Sequence, residues 1–307
     1  MRRFDVLKAL VRRELLENRL GLIYAPWIVS FILCVVIVLV YSGLADISTP
    51  NFTFSTSIFD NPETVEWMRV ATAEQIHAVT RTALLILGTP VVLVMFFGIV
   101  SYSLGTFYEE RKDKSITFWR SLPVSDGLTI LSKVFVACFV TPLIVLPALI
   151  VLHLVALLSA SFFLMSSDIV SFGWVWDGSS IIDWLRVIVS LWTQAIWLLP
   201  IISWLMLSGS YAKKPIVAAI LPVVALVVLE RVVSSSGVLF SILKDRFGPW
   251  SLSSSFPNKT EELRVVDISD VQLLITTGEF WYGILLSIVL LAATVYVRNR
   301  SQFSSIQ

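Results

Sequence analysis

Few residues of this 307-residue sequence have the types and spacing that enzymatic chemistry requires. The sequence has no Gly-x-x-x-x-Gly-Lys-Ser/Thr phosphate-binding loop, no His-Glu-x-x-His zinc motif, no Cys-x-x-Cys pair and no Gly-x-Ser-x-Gly turn. Its two cysteines, Cys34 and Cys138, lie inside long apolar runs, which favours small buried side chains over a disulfide or a metal site. We therefore expect no catalytic residues, no metal ion and no cofactor in this chain.

Three other sets of titratable residues lie inside or beside apolar runs. His153 lies in the middle of one run, where it is either a neutral, hydrogen-bonded side chain or part of a proton relay. Glu230 and Arg231 close another run, and they either form an external gate or substrate site or anchor the run at the membrane surface. Asp183 and Arg186 are three residues apart, a spacing that predicts a surface pair on one helix face.

The composition indicates the environment that must hold these residues. Hydrophobic residues make up 56% of the chain and charged residues 15%, and the mean hydropathy is +0.84. A soluble core cannot hide so many apolar side chains, whereas lipid allows them to face outward. A bilayer-crossing helix needs about 20 apolar residues. We predict an all-α membrane protein with six transmembrane helices, at about 21–45, 82–107, 130–163, 184–211, 214–233 and 279–298.

Two of these spans have unusual lengths. The uncharged part of the third, 134–167, holds 34 residues, so we expect it to tilt, to extend beyond the membrane, or to bend at Pro142 or Pro147. The fifth holds only 15 residues before Glu230 and Arg231. Either these two residues enter the membrane as a neutral pair, or the span is short.

The basic residues predict the orientation of the spans. Lysines and arginines gather in 1–20, in 109–133, at Lys213 and Lys214, and in the C-terminal tail, which six crossings place on one side. The positive-inside rule makes that side cytoplasmic, together with both termini and the tail 301–307. The segments 46–81, 164–183 and 234–278 are then external. The net charge of +1 argues against a nucleic-acid partner.

The first 20 residues predict an amphipathic helix at the membrane surface. Phe4, Leu7, Val11 and Leu15 recur at helical spacing, while basic residues occupy other positions, at Arg2, Arg3, Lys8, Arg12 and Arg13. Such a helix lies among the lipid headgroups with its basic face toward anionic lipid. The alternative is a positively charged flank that only sets the topology.

The loop 107–126 between the second and third spans is the most informative segment for function. It begins with alternating charges, and Ile116, Trp119 and Leu122 then follow at three-residue spacing before Pro123 ends the helical pattern. A short helix that joins two spans and exposes charged and apolar side chains suits a docking element for a cytoplasmic partner. A solvated loop that only sets the topology is the equal alternative.

The run FYEERKDKSITFWRSLPVSD at 107–126, followed by Lys133 at the start of the third span, resembles the corresponding loop of bacterial ABC transporter type-2 permeases. The six spans, the N-terminal helix and the cytoplasmic ends are similar to that family as well. The loop motif covers about 27 residues, and segment 234–279 adds little to the resemblance.

The resemblance implies the membrane-spanning subunit of an ATP-driven exporter in the bacterial inner membrane. It implies a permease homodimer with two cytoplasmic ATPase subunits, which bind the ATP and Mg²⁺. The residues that would couple the permease to the ATPase are Glu109, Glu110, Arg111, Ile116, Trp119 and Pro123. The alternatives are an ion-coupled secondary transporter, which would call for carboxylates near mid-membrane, and a membrane sensor component.

Overall fold

The computed structural model describes residues 3–44, 47–49, 52–54, 56–113, 125–176, 181–234, 236–249 and 268–300. Among these residues, five helices are long and apolar enough to cross a membrane, and a sixth span results if one bent helix pair is counted as a single crossing. The spans expose large apolar side chains over most of their outer faces, for example Phe31, Phe97 and Leu221. Such a surface fits lipid as the solvent, and the chain is a multi-pass membrane protein.

The first span belongs to an almost continuous helical segment. Helix α1 (Arg3–Glu17) leads through a π-helical turn (Leu20–Tyr24) into α2 (Ala25–Tyr41). A helix is thus present in the predicted N-terminal segment, and its amphipathic character stays a prediction. Leu10 is buried, and Val11 and Leu15 pack against the main core. A position at the membrane surface stays a prediction.

The segment after the first span, within 46–81, has secondary structure of its own. Strands β1 (Ile47–Thr49) and β2 (Phe52–Phe54) pair antiparallel, and a 3₁₀ turn (Thr56–Asp60) and α3 (Pro62–Val70) follow. Helix α4 (Ala73–Lys112) then begins well before the predicted span, because Thr72 and Gln75 form a reciprocal capping box at its N-terminus.

The third span is one long helical segment. Helix α5 (Asp126–Phe135), a π turn (Val136–Val140) and α6 (Thr141–Ser166) follow one another without a sharp bend. The helix continues through both Pro142 and Pro147, and its departure from α geometry is the π turn just before Pro142. Of the three alternatives, a sharp bend at Pro142 or Pro147 is thus not seen in this helix, which has a locally wider π turn instead.

The first and third spans run parallel, side by side. Glu14 meets Lys133, the Ser30 hydroxyl donates to the Ala148 carbonyl at 2.8 Å, and the Tyr41 ring lies 5.7 Å from that of Phe163. The partners advance together along both helices, and each helix contains one π turn. Helix α4 packs against both α2 and α6 and contributes to the main core.

The remaining spans surround α8. The predicted span 184–211 consists of α7 (Ile181–Trp197) and α8 (Leu199–Tyr211), which are bent by 51° at Leu198. Helix α9 (Pro215–Val233) buries only Ala219. Then come α10 (Val238–Phe247), α11 (Ile268–Thr276) and α12 (Gly278–Arg300), and α12 packs along α8.

Candidate functional site: a buried ion cluster

Six charged side chains meet at the end of the bundle where α4 stops and α5 begins. We call them the ion cluster: Arg13, Glu14, Glu110, Asp126, Lys133 and Arg298. They come from α1, α4, α5 and α12, so residues far apart in the sequence converge on one site. The loop 114–124, which joins α4 to α5 through Asp113 and Ser125, lies outside the described residues.

Lys133 is the centre of the ion cluster. Its ammonium lies 2.8 Å from Glu14 Oε1 and 3.0 Å from Glu110 Oε1, and it donates to the Thr106 hydroxyl at 2.6 Å. The side chain is 1% exposed. The Tyr102 hydroxyl donates to Glu14 Oε2 at 2.9 Å. The ammonium of Lys133 thus has three oxygen partners, from Glu14, Glu110 and Thr106, which matches its three N–H donors.

Glu110 links the lysine to two arginines. Its Oε1 accepts from Arg13 Nη2 at 3.1 Å, and its Oε2 accepts from Arg298 Nη1 at 3.0 Å. Arg298 also donates from Nε to Asp126 Oδ1 at 2.7 Å. The Phe107 ring lies 5.2 Å from both Lys133 Nζ and Arg298 Cζ, which places a π face beside two cations. A single carboxylate thus connects α4 to α1, α5 and α12.

The charges of the ion cluster balance, with three carboxylates against three cations. A lone buried ion costs several kcal/mol, so such groups persist in a protein interior only when their partners are complete. At the edge of the cluster, burial acts to lower the pKa of Arg13. The hydrogen bond to Glu17 and the carboxylates of Glu14 and Glu110 outweigh it, and the pKa of Arg13 is raised.

The charges of the ion cluster are paired with one another within the chain. Each carboxylate already faces a cation. Among the described residues, no group of three or more His, Cys, Asp or Glu side chains could hold a metal ion. What the ion cluster does is hold both flanks of the loop 114–124 against the N-terminal helix and the end of the last span.

The structure separates the predicted coupling residues. Glu109 is exposed, whereas Glu110 is 5% exposed and makes its charge pairs inside the chain. Arg13, Lys133 and Arg298 occupy both oxygens of Glu110, and a role of Glu110 in coupling stays a prediction. Ile116, Trp119 and Pro123 lie outside the described residues.

Arg111 closes the end of a neighbouring helix. Its Nη2 donates to the carbonyls of Gly209 at 2.8 Å and Ala212 at 2.6 Å, at the C-terminus of α8. A guanidinium at this position donates to carbonyls that the helix leaves without partners. Its positive charge also interacts favourably with the negative end of the helix dipole. Gly209 also touches the Leu104 carbonyl, where a Cβ atom would collide. Arg111 thus fixes α4 to α8.

Glu230 has a structural role beside the proposed external one. Its carboxylate accepts from the backbone N–H of Val238 at 2.7 Å and of Leu239 at 3.0 Å, and from the Ser236 hydroxyl at 2.7 Å. It therefore caps the N-terminus of α10. Arg231 lies against Gly237, whose φ of +66° opens the same turn. A gate or substrate site at these two residues stays a prediction.

The far end of α4 carries a second, partly exposed set of charges. Asp183 accepts from Arg186 Nη1 at 2.9 Å, which confirms the predicted pair, and it also meets His77 Nε2 at 3.0 Å. His153 is 5% exposed, and its Nδ1 accepts from Trp184 Nε1 at 3.3 Å. That bond favours the neutral alternative for this histidine. Cys34 and Cys138 are free, as expected.

Sequence reasoning missed Glu14 and Arg298 and noted Lys133 only for its place in the loop motif. One signal was available for Glu14. It follows Leu10 by four residues and Leu7 by seven, so a carboxylate lies on the apolar face of α1. No local pattern predicts its partner, because Lys133 is more than a hundred residues away.

No protein-family model, no curated protein sequence and no solved structure matches the chain. The site must therefore be interpreted from its own geometry and from the sequence of the loop beside it.

Proposed function

We propose that this protein is the transmembrane permease subunit of an ATP-driven ABC exporter and couples to a separate cytoplasmic ATPase through the loop between its second and third spans. One observation supports this most. The ion cluster ties both flanks of that loop to α1 and α12 through Glu110 and Lys133. A push on the loop would therefore reach four helices together.

Exposed and buried residues divide the coupling task in this proposal. Glu109, which is exposed on the last turns of α4, offers a charge to the ATPase, and Ile116 and Trp119 offer apolar side chains from the loop. Glu110 and Arg111 do not contact the ATPase in this proposal. They act as positioning residues, because their partners lie within the chain. Binding and hydrolysis of ATP would shift the population between inward- and outward-open states.

The complete transporter would contain two permease chains and two ATPase subunits in the bacterial inner membrane, with ATP and Mg²⁺ held by the ATPase. The common position of α1, the loop flanks and the end of α12 supports one cytoplasmic side for all of them. An ion-coupled transporter gains less support, because the carboxylates of the ion cluster are balanced by cations at one end of the bundle.

Copurification tests the proposal directly. The chain is expressed with the ATPase encoded beside it and isolated through a tag on the permease alone. We expect the ATPase to be retained and its hydrolysis rate to change on reconstitution into proteoliposomes. If no adjacent gene encodes an ATPase and none copurifies, the proposed function fails.

Two variants locate the contact. Trp119→Ala and Glu109→Lys should weaken retention of the ATPase about tenfold, since each removes a contact worth roughly 1–2 kcal/mol at a docking surface. The matched control is Glu74→Lys, an exposed glutamate at the other end of the same helix α4. Equal retention in all three variants would contradict docking through the loop.

Orientation has its own test. Cysteines replace Asp113, beside the loop, and Ser167, beyond the far end of α6, both of which are exposed. A membrane-impermeant thiol reagent should label Ser167→Cys in intact cells and Asp113→Cys only after permeabilisation. The reverse labelling pattern would show the opposite orientation, with the loop 114–124 outside the cell, and would contradict coupling to a cytoplasmic ATPase.

A further inference from the structure

We propose that Arg246 is a latch that holds the bend in the fourth span, and that Gly283 provides the gap which the latch needs. The Arg246 latch consists of Arg246, the Trp197 residue that it covers and Gly283 on α12. It stands apart from the proposed function, because the ion cluster lies at the opposite end of α12.

The bend leaves backbone groups without helical partners. In an unbroken helix, the Ile201 N–H would donate to the Trp197 carbonyl, but here it donates to Leu198 at 2.9 Å. Pro200 has no N–H to donate to Ile196. A carbonyl left unpaired in an apolar interior costs several kcal/mol in lipid, so the Trp197 carbonyl needs a donor from outside its own helix.

Arg246 supplies that donor. Its Nη1 donates to the Trp197 carbonyl at 3.0 Å, and its Nη2 donates to the Glu279 carbonyl at 2.5 Å at the start of α12. The guanidinium also stacks on the fully buried Trp197 ring, with Cζ 3.8 Å from the ring centroid. One side chain from α10 thus fixes the point of the bend to α12.

The same turn of α10 makes two further contacts with the end of α7. Trp197 Nε1 donates to the Asp245 carbonyl at 3.0 Å, and Gln194 Nε2 donates to the Gly248 carbonyl at 3.1 Å. Helix α10 itself buries none of its residues. Its attachment to the bend is therefore concentrated in residues 245–248, which is what a releasable latch requires.

Gly283 makes room for the guanidinium. A Cβ atom at this position would lie 2.6 Å from Arg246 Nη2 and 2.9 Å from Arg246 Cζ. Both distances are far below van der Waals contact, so any side chain at 283 would displace the arginine. Two substitutions on different helices, at 246 and at 283, should therefore open the same latch. Its release would let α7, which packs less extensively than α8, move relative to α8.

The test measures the bend itself. Spin labels carried by an unnatural ketone amino acid replace the exposed residues Leu185 and Tyr211, so that both native cysteines stay in place. Each label lies about 18 Å along its helix from the bend, so straightening the 51° bend would lengthen the distance between the two labels by about 3–4 Å. We expect a narrow distance distribution in the otherwise unaltered chain, and a broader, longer one in Arg246→Met and Gly283→Ala.

Matched controls separate the latch from general damage. Lys244→Met removes an exposed cation from the same helix, and Gly278→Ala adds a methyl group on α12 where the nearest atom, Tyr282 Cε2, is 3.5 Å away. Both should keep the narrow distance distribution. Arg246→Lys should give a distribution between that of the unaltered chain and that of Arg246→Met. If Gly283→Ala and Arg246→Met both keep the original distribution, the bend is set by Pro200 alone and the proposal is wrong.

Discussion

The two ends of α12 are held by arginines in contrasting ways. At one end, Arg298 binds the carboxylates of Glu110 and Asp126 inside a balanced set of six charges. At the other, Arg246 binds two carbonyls and a tryptophan ring. The first arrangement loses its charge balance when any member is removed, whereas the second loses two hydrogen bonds and the contact with the Trp197 ring. We conclude that the ion cluster is the rigid end of the molecule and the Arg246 latch is the adjustable end.

The largest effect should follow from Lys133→Met. This change leaves Glu14 and Glu110 buried near each other without their shared cation, and breaking a buried pair in this way costs about 3–5 kcal/mol. Unfolding in mixed micelles with increasing denaturing detergent measures the free energy of unfolding. Lys112→Met, which removes an exposed lysine at the same end, is the control and should change it by less than about 0.5 kcal/mol.

A second substitution should restore part of that loss. Glu14→Gln added to Lys133→Met removes the carboxylate that the lost ammonium leaves without a cation, so the double variant should be more stable than Lys133→Met by about 1–2 kcal/mol. The same unfolding measurement applies. Simple addition of the two single losses would show that Glu14 and Lys133 are energetically independent, against their 2.8 Å contact.

Arg246→Met should cost less than Lys133→Met. It removes two charged hydrogen bonds to carbonyls, which contribute about 1.5–3 kcal/mol each when buried and less at this partly exposed position, and it leaves no opposite charge buried. A loss as large as that of Lys133→Met would contradict the contrast between the two ends of α12. The spin-label distances show whether the bend opens at the same time.

The smallest effect should follow from Asp183→Asn at the far end of α4. Asp183 meets His77 and Arg186, but these side chains are 35% and 29% exposed, so water and salt screen the attraction. We expect a loss below about 1 kcal/mol that shrinks further at high salt. A larger loss of unfolding free energy that does not depend on salt would show that these charges behave like those of the buried ion cluster.

The long spans could be predicted from the sequence because lipid demands uncharged runs of a known length. The Asp183–Arg186 pair could be predicted because both residues lie on one helix turn. The break at Leu198 was not predicted, since Leu198 and Pro200 are as apolar as the rest of the run and hydropathy does not record a lost hydrogen bond. The ion cluster was not predicted either, because Glu14, Glu110, Lys133 and Arg298 meet only when four helices pack together.

The paired π turns in the first and third spans have a consequence for the length of the chain. A π turn holds one residue more than the α-helical turn it replaces, and one residue turns a helix by about 100°. Deleting a single residue from Leu20–Tyr24 would let that turn become α-helical, and Glu14 would still face Lys133 while Ser30 kept its place opposite Ala148. A one-residue deletion that the π turn did not absorb would instead rotate Glu14 by about 100° relative to Ser30 and away from Lys133. The π turn is thus the place where this helix can lose one residue without separating the buried charges.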